Sequence, residues 1–553
     1  MLDYRSPVAD ILFALRAAAG ADRLPGWDDD LARTVLDQAG RLVDGVVAPL
    51  DPLGDTHPAR LEHGRVRLPP AFAAAYALYR DGGWPGLAVA EAEGGQGLPH
   101  VLAGAVSEML SGACLSFQML LSLGQGALRT LGANGSPAQK ARWMGRLASG
   151  DWLATMCLTE PQAGSDLARI RCLARPDPAG GWRISGGKVF ISGGDQDLTG
   201  RVLHLVLART PDAPPGLRGL SLFLCPSELE DGSRNAVSVL RLEDKMGLHA
   251  SPTCQMAFDA AWAELVGAPG EGLARMFTMM NAERLDVAAQ GIGLAEIAGQ
   301  RSRAYAAQRH QGRAGSGGGP DPIAAHPDIR RALLTQLALA LGGRAMLYRV
   351  LVELELGTNP ALVEIMTPIC KAFCTDAGGE AADHAIQIHG GYGYLREYRV
   401  EQILRDARIT RIYEGSNGIQ GMTLVGRLLT LDDGACRRAF HAEIAAAAEG
   451  AAVWREDLTR AVAAWEEAAS ALLTAPEPGY AAADFLRLSG LLAFAAAWAR
   501  LLAGADAAPS PARIRQGADF VRRWMLPECH LLAARCVGGF RPDSAGLEEA
   551  LTP

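Results

Sequence analysis

The hydrophobic period of this chain changes twice. Up to about residue 150, apolar side chains recur at helical spacing, as at Leu31, Val35, Leu36, Ala39, Leu42 and Val46. Between 151 and 269 the chain turns to short β-branched or alternating runs: WRISGGKVFIS (182–192), HLVLAR (204–209), LSLFLC (220–225), AVSVLRL (236–242) and CQMAFDA (254–260). Glycine, proline and aspartate separate them. Helical spacing returns at Glu271. A side-chain period of two suits a sheet and one of 3.6 suits a helix. The expectation is therefore a mainly α chain interrupted by one small antiparallel barrel or sandwich. A Rossmann fold would need alternating strands and helices with G-x-G-x-x-G after a strand, and neither is present.

Past Glu271 one long helical segment runs to about Arg309, followed by a glycine-rich loop, GRAGSGGGPDP (312–322). Helices resume near His326 and continue to about Leu429. The remainder is alanine- and leucine-rich, as in FLRLSGLLAFAAAWARLLAG (485–504). Four parts are expected: an N-terminal helical domain (1–150), a middle β domain (151–269), a helical domain (270–430) and an added helical domain (431–553). No short repeat of solenoid type is found.

Charge and cysteine usage narrow the function. Asp and Glu number 61 against 53 Lys and Arg, a net charge of −8. That balance argues against non-specific nucleic-acid binding. Basic charge is nearly all arginine, with lysine only at 140, 188, 245 and 371, so arginine clusters read as coding bias rather than phosphate patches. Ten cysteines run from Cys114 to Cys536 without zinc spacing; Cys370 and Cys374 suit one helix face. No metal site is expected, and the reading is a reduced, cytoplasmic protein with buried thiols. The N-terminus lacks the basic start and apolar core of a signal peptide. No apolar run reaches the ~18 residues of a transmembrane helix; the richest, around 333–352, is broken by Arg344 and Arg349.

Five clusters can carry chemistry. Glu414, in Tyr413-Glu414-Gly415-Ser416, has an apolar wall on one side and small residues on the other, a setting for a general base. Residues 156–166 (MCLTEPQAGSD) read either as a strand ending in a turn or as a loop whose N–H groups and hydroxyls close over a ligand. Phe190-Ile191-Ser192 reads as a strand before a glycine turn. In GLARMFTMMNAERLDVAAQG, Leu273, Phe277, Met280, Val287 and Gly291 mark an apolar stripe that includes Arg284. A buried arginine there needs a carbonyl or anionic partner, and an internal ion pair would serve. Glu283 beside it reads as an ordinary helix carboxylate or as a second candidate base. Last, Arg309 and Gln387-Ile388-His389-Gly390-Gly391 combine a cation with close backbone approach, which suits a pyrophosphate. His389 reads as a packing residue.

Together these strings resemble the acyl-CoA dehydrogenase family. KMGLHASPTC (245–254), GEGLARMFTMMNAERL (270–285), HPDIRRALLTQ (326–336), the Tyr4–Leu15 stretch and the long C-terminal extension are similar to the branch that holds the 3-methylmercaptopropionyl-CoA dehydrogenases. The resemblance implies an N-terminal helical domain, a middle β-barrel and a C-terminal four-helix bundle, with 431–553 added. It implies FAD as cofactor and oxidation of an acyl-CoA to a trans-2-enoyl-CoA, with 3-methylmercaptopropionyl-CoA or a fatty acyl-CoA as substrate. Glu414 becomes the base, with Glu283 the second candidate, since a minority of members place the base there. Met156, Leu158, Thr159, Ser165, Phe190 and Ser192 would hold the flavin, and Ser165, Asn281, Arg284 and Gly415 the acyl-CoA. Arg309, Gln387, Gly390, Gly391 and Ser416 would hold the ADP half of FAD bound by a neighbouring subunit, which makes a homodimer the expected assembly. Four positions depart from the common pattern: Phe190 and Ser192 stand for Trp and Thr, Asn281 for Asp, and Gly418 for Gln. An electron-transfer flavoprotein is the implied electron acceptor. The competing readings are an acyl-CoA oxidase on the same fold and a flavin- or CoA-binding protein without turnover.

Overall fold

The computed structural model describes residues 3–314 and 320–539, with Gly546, Glu549, Leu551 and Thr552 beyond them. Residues 315–319 of the glycine-rich loop lie outside the described residues. The first part is helical except for a hairpin, β1 (Arg60–Glu62) and β2 (Arg65–Arg67), that the helical reading did not foresee. Its two-residue turn, His63-Gly64, has φ +51° and +75°, as a tight hairpin following the strand twist requires. Arg65 Nε donates to Asp195 at 2.9 Å and docks the hairpin on the central sheet.

That sheet comprises β3 (Leu153–Cys157), β4 (Leu173–Pro176), β5 (Trp182–Ser192), β6 (Val202–Arg209), β7 (Leu220–Pro226), β8 (Val237–Leu242) and β9 (Thr253–Val266). The strand order is β3-β6-β4-β5-β9-β7, and β7 pairs again with β6, which closes the sheet into a barrel; β8 adds to β9. The barrel is mixed, not antiparallel as expected. β3 and β4 both run parallel to β6, because the β4–β5 hairpin reverses the chain before β6 enters. β7 is buried along its whole length and β6 along all but its last residue, which is why both read as unbroken apolar runs.

Two helices, His100–Ala113 and Leu115–Asn134, lead into the barrel. Three long ones follow it: Gly272–Gln308, Pro327–Leu356 and Pro360–His389. Pro327 and Pro360 open their helices, where a missing N–H costs nothing, and Gly357 in the left-handed region closes the middle one. The first and third touch backbone to backbone: a Cβ on Gly291 would lie 2.2 Å from the Cys374 carbonyl. This contact sets the depth at which both helices meet the site. The apolar stripe of helix Gly272–Gln308 departs from the expected one in its first half, while Val287 and Gly291 are buried as expected. Met276, Met279, Glu283, Val287 and Gln290 are buried, whereas Phe277 is 40% exposed. Met276 and Met279 enter the barrel core, and that turns the helix.

Among the described residues five further helices, Leu431–Gly450 and Ala482–Ala503 included, pack against this bundle and share its core. Phe494 meets Phe373 at 4.9 Å, and Trp498 Nε1 donates to the Ala338 carbonyl at 3.2 Å. Against expectation, Pro478–Ala503 is long and apolar enough to cross a membrane, but 83% of its most apolar window is buried inside the protein. Deep in the bundle Arg344, fully buried, pairs with Glu108 at 2.6 Å and Glu296 at 3.0 Å.

Candidate active site

The turn that carries Glu414 joins helix Val400–Thr410 to helix Asn417–Thr423. Ser416 Oγ accepts from Ile419 N at 3.3 Å and caps the second helix, while Asn417 N donates to the Arg411 carbonyl at 3.0 Å. Between these ties Glu414 and Gly415 take φ +53° and +81°. Glycine bears this freely, but for glutamate it costs on the order of 1–3 kcal/mol, a strain typical of functional positions. The turn is held from behind. Arg284 Nε donates to the Glu414 carbonyl at 3.4 Å, and Gln420 Nε2 to the Gly415 carbonyl at 3.0 Å. Arg284 also donates to Asn281 Oδ1 at 3.0 Å. Of the two kinds of partner that the sequence allowed, a carbonyl or an anion, the described residues supply a main-chain carbonyl.

Glu414 faces a cavity that also takes in Met156, Phe190, Ser192, Glu283, Val287 and Gln290. Burial pushes the Glu414 carboxyl up to about 7; Arg284 and Lys371 oppose the rise, and Asp286 adds to it. Glu283 is no ordinary helix carboxylate, being only 3% exposed. Burial, then Asp286 and Glu414, push it well above the usual carboxylate range, with Arg129 opposing. Lys371, fully buried on helix Pro360–His389, donates to Asn417 Oδ1 at 3.0 Å. Burial lowers its ammonium to about 7. Tyr413 packs behind Glu414 and bonds Gln290, which donates to Gln118 at 2.9 Å.

The barrel side of the cavity rests on a buried ion pair that the sequence reading passed over. Lys188 Nζ lies 2.8 Å from Glu160 and donates to the Leu158 carbonyl at 2.9 Å. Val189 N donates to the Thr159 carbonyl at 2.9 Å. These bonds tie the 158–160 loop to β5, where the β5–β9 register slips between Lys188 and Ile191. In that irregularity Phe190 has φ +59° and is 64% exposed.

The structure therefore brings Met156, Phe190, Ser192, Glu283 and Glu414 together, with Asn281, Arg284 and Gly415 behind the turn. Thr159, Ser165, Arg309, Gln387, Gly390 and Gly391 do not line this cavity, and the Leu158 side chain belongs to the barrel core. Ser165, Arg309, Gln387, Gly390 and Gly391 are exposed. Arg309 lies over the Tyr392 ring at 5.6 Å, beside Tyr394, which is 85% exposed. His389 bonds the Ala385 carbonyl at 2.7 Å and stacks on Tyr305, so it packs as read. Among the described residues no cluster of three or more His, Cys, Asp or Glu is placed to hold a metal. Lys371 and Lys188 were the missed residues with a visible signal, each a rare lysine, the first inside an apolar run and the second opening one. Met119, Ser122 and Gln290 gave none.

Three family models match in succession: acyl-CoA dehydrogenase, N-terminal domain over 33–151, middle domain over 155–261 and C-terminal domain over 270–429. The chain belongs to the acyl-CoA dehydrogenase family. It is 41% identical to a 3-methylmercaptopropionyl-CoA dehydrogenase of Ruegeria pomeroyi, over 96% of this chain and 97% of that protein. It is 34% identical to the broad-specificity linear acyl-CoA dehydrogenase FadE5 of Mycobacterium tuberculosis, over 78% and 76%. In fold it is similar to ACDH-11 of Caenorhabditis elegans in complex with C11-CoA, with a TM-score of 0.81 at 21% identity, covering 95% of this chain and 92% of that one. An acyl-CoA dehydrogenase of Bacillus anthracis complexed with FAD gives a TM-score of 0.74 at 20% identity, over 97% and 94%. The chain is thus an enzyme of acyl-CoA dehydrogenation, with FAD as its cofactor. The residues present fit that group. An exposed aromatic held in a strained bulge beside Met156 offers a flat apolar wall for a ring system, and the free guanidinium face of Arg309 suits a phosphate.

Proposed function

We propose that Glu414 is the base that removes the α-proton of the acyl thioester. The carrying observation is its electrostatic setting. Both carboxyls in the cavity are driven toward the neutral form, but Glu414 has two cations beside it, Arg284 and Lys371, and titrates at about 7. Burial, with Asp286 and Glu414 beside it, pushes Glu283 well above the usual carboxylate range, and only Arg129 and a Gly126 backbone bond oppose the rise. A general base works best when its pKa lies near the working pH. The thioester carbonyl accepts from the Glu414 main-chain N–H, which stabilises the developing enolate charge. Arg284, Asn281 and Gly415 keep the turn in place, and Ser165 closes over the substrate. FAD, when bound, takes the β-hydrogen as hydride.

Met156, Thr159, Phe190 and Ser192 and the Leu158 main chain hold the flavin end. Arg309, Gln387, Gly390, Gly391 and Ser416 serve the FAD of a second copy of this chain, a role that the exposure of the first four supports. The assembly is then a homodimer in the cytoplasm, reoxidised by an electron-transfer flavoprotein. The 41% identity across nearly the whole chain supports 3-methylmercaptopropionyl-CoA, or another short acyl-CoA, as substrate.

Anaerobic titration of the FAD-loaded protein with acyl-CoAs tests the reading. The flavin absorbance bleaches in the unmodified protein, and Glu414→Gln slows bleaching by about a thousandfold while keeping FAD. Undiminished bleaching in Glu414→Gln, with loss in Glu283→Gln, reverses the assignment.

A further inference from the structure

A second cavity lies behind the first. Tyr79, Leu110, Leu121, Leu285 and Leu351 give it an apolar wall, to which His100, Gln125 and Arg129 add polar groups, and its empty space, open in part to solvent, is about 830 Å³ against about 360 Å³ at Glu414. The two cavities have Ser122 and Glu283 in common. Those residues sit on facing helices, Leu115–Asn134 and Gly272–Gln308. Glu283 spans the gap between them: a Cβ on Gly126, one turn beyond Ser122, would lie 2.4 Å from its Oε1. Ser122 Oγ is buried and without a partner among the described residues, and Glu283 is held to the facing helix by the Gly126 backbone. Asp286, on the far side, is already engaged by Ser107 and Gln118, leaving the inner cavity to offer mainly apolar surface.

We propose that Glu283 is a partition that sets acyl length: the chain of a short acyl-CoA ends against its side chain, and the apolar space behind stays closed to longer ones. The proposal rests on the reading of the Glu414 cavity as the acyl site. An apolar chain that passed this point would have to displace a carboxyl wedged against the facing backbone. With the carboxyl removed, each further methylene gains apolar burial in the inner cavity.

The test is a series from butyryl- to octanoyl- to dodecanoyl-CoA, read as kcat/KM and as anaerobic bleaching of the FAD-loaded protein. In the unmodified protein kcat/KM falls along the series. Glu283→Ala raises the dodecanoyl-to-butyryl ratio by on the order of tenfold or more. Glu283→Gln, of equal size, keeps the ratio of the unmodified protein, which assigns the effect to bulk rather than charge. An unmoved ratio in Glu283→Ala overturns the proposal. So does loss of bleaching with every acyl-CoA in both variants while FAD is retained, which would make Glu283 the base. Should the variants not fold, a rise of kcat/KM with length in the unmodified protein overturns it alone. Absence of bleaching by any acyl-CoA in the unmodified protein is a different result, and it overturns the reading of the site itself.

Discussion

Glu414 and Lys371 show how one residue sets the working range of another. Lys371 Nζ is bonded to Asn417, three positions past Glu414, so the cation is anchored to the turn that carries the proposed base. Facing Glu414 are Arg284 and Lys371, which favour its carboxylate, and Asp286, which disfavours it; Glu283 shares the cavity. Removing the lysine leaves the carboxylate less stabilised, so its pKa rises and a higher pH is needed to deprotonate it. Lys371→Met is therefore expected to move the midpoint of the pH–rate curve for flavin reduction up by about one unit, with FAD retained. An unchanged midpoint would leave Lys371 a purely structural residue. At this scale the sequence showed which residues were unusual but not their partners. Glu414 was legible from its neighbours in the chain. Lys371 stood out only as a lysine in the apolar run PICKAFC, because Asn417 lies 46 positions away and meets it only through folding.

Among the elements, the strands with a full alternating run were read closely, and β5 matches its expected span, 182–192. The short ones, β4 and the β1–β2 hairpin, have too few residues to show a period. Parallel pairing of β3 with β6 was also out of reach, since it depends on partners about 50 residues apart. The buried charges lie at the same scale. Arg344 links helices His100–Ala113, Gly272–Gln308 and Pro327–Leu356 through Glu108 and Glu296. Arg344→Met strands two carboxyls in the core and is expected to destabilise the protein by ~3–5 kcal/mol, seen as a lower denaturation midpoint. Adding Glu108→Gln and Glu296→Gln should recover part of that loss. The sequence reading took Arg344 only as an interruption of an apolar run; its partners fill the role that periodicity leaves blank.

The helical parts share one core that runs from Tyr4 to Cys536, beside the barrel's own. The helices past residue 430 therefore do not stand apart. Arg349 and Arg500 converge on Glu443, and Arg513 reaches Asp10. A chain truncated after 430 exposes the face around Phe373 and Ala338, and is expected to aggregate or to lose the FAD that the full chain retains on gel filtration. The exposed Arg309–Tyr394 region predicts a sedimentation mass of two chains. A mass of four would count against the homodimer. The sequence by itself determined the helix–sheet–helix order, the family, the cofactor and the two candidate bases, because these rest on residues close together in the chain. The tertiary structure alone decided that Glu283 and Glu414 share a cavity, that two cations flank one and a second cavity adjoins the other. Burial and the charges that oppose it are set by helices hundreds of residues apart, and no local pattern records them.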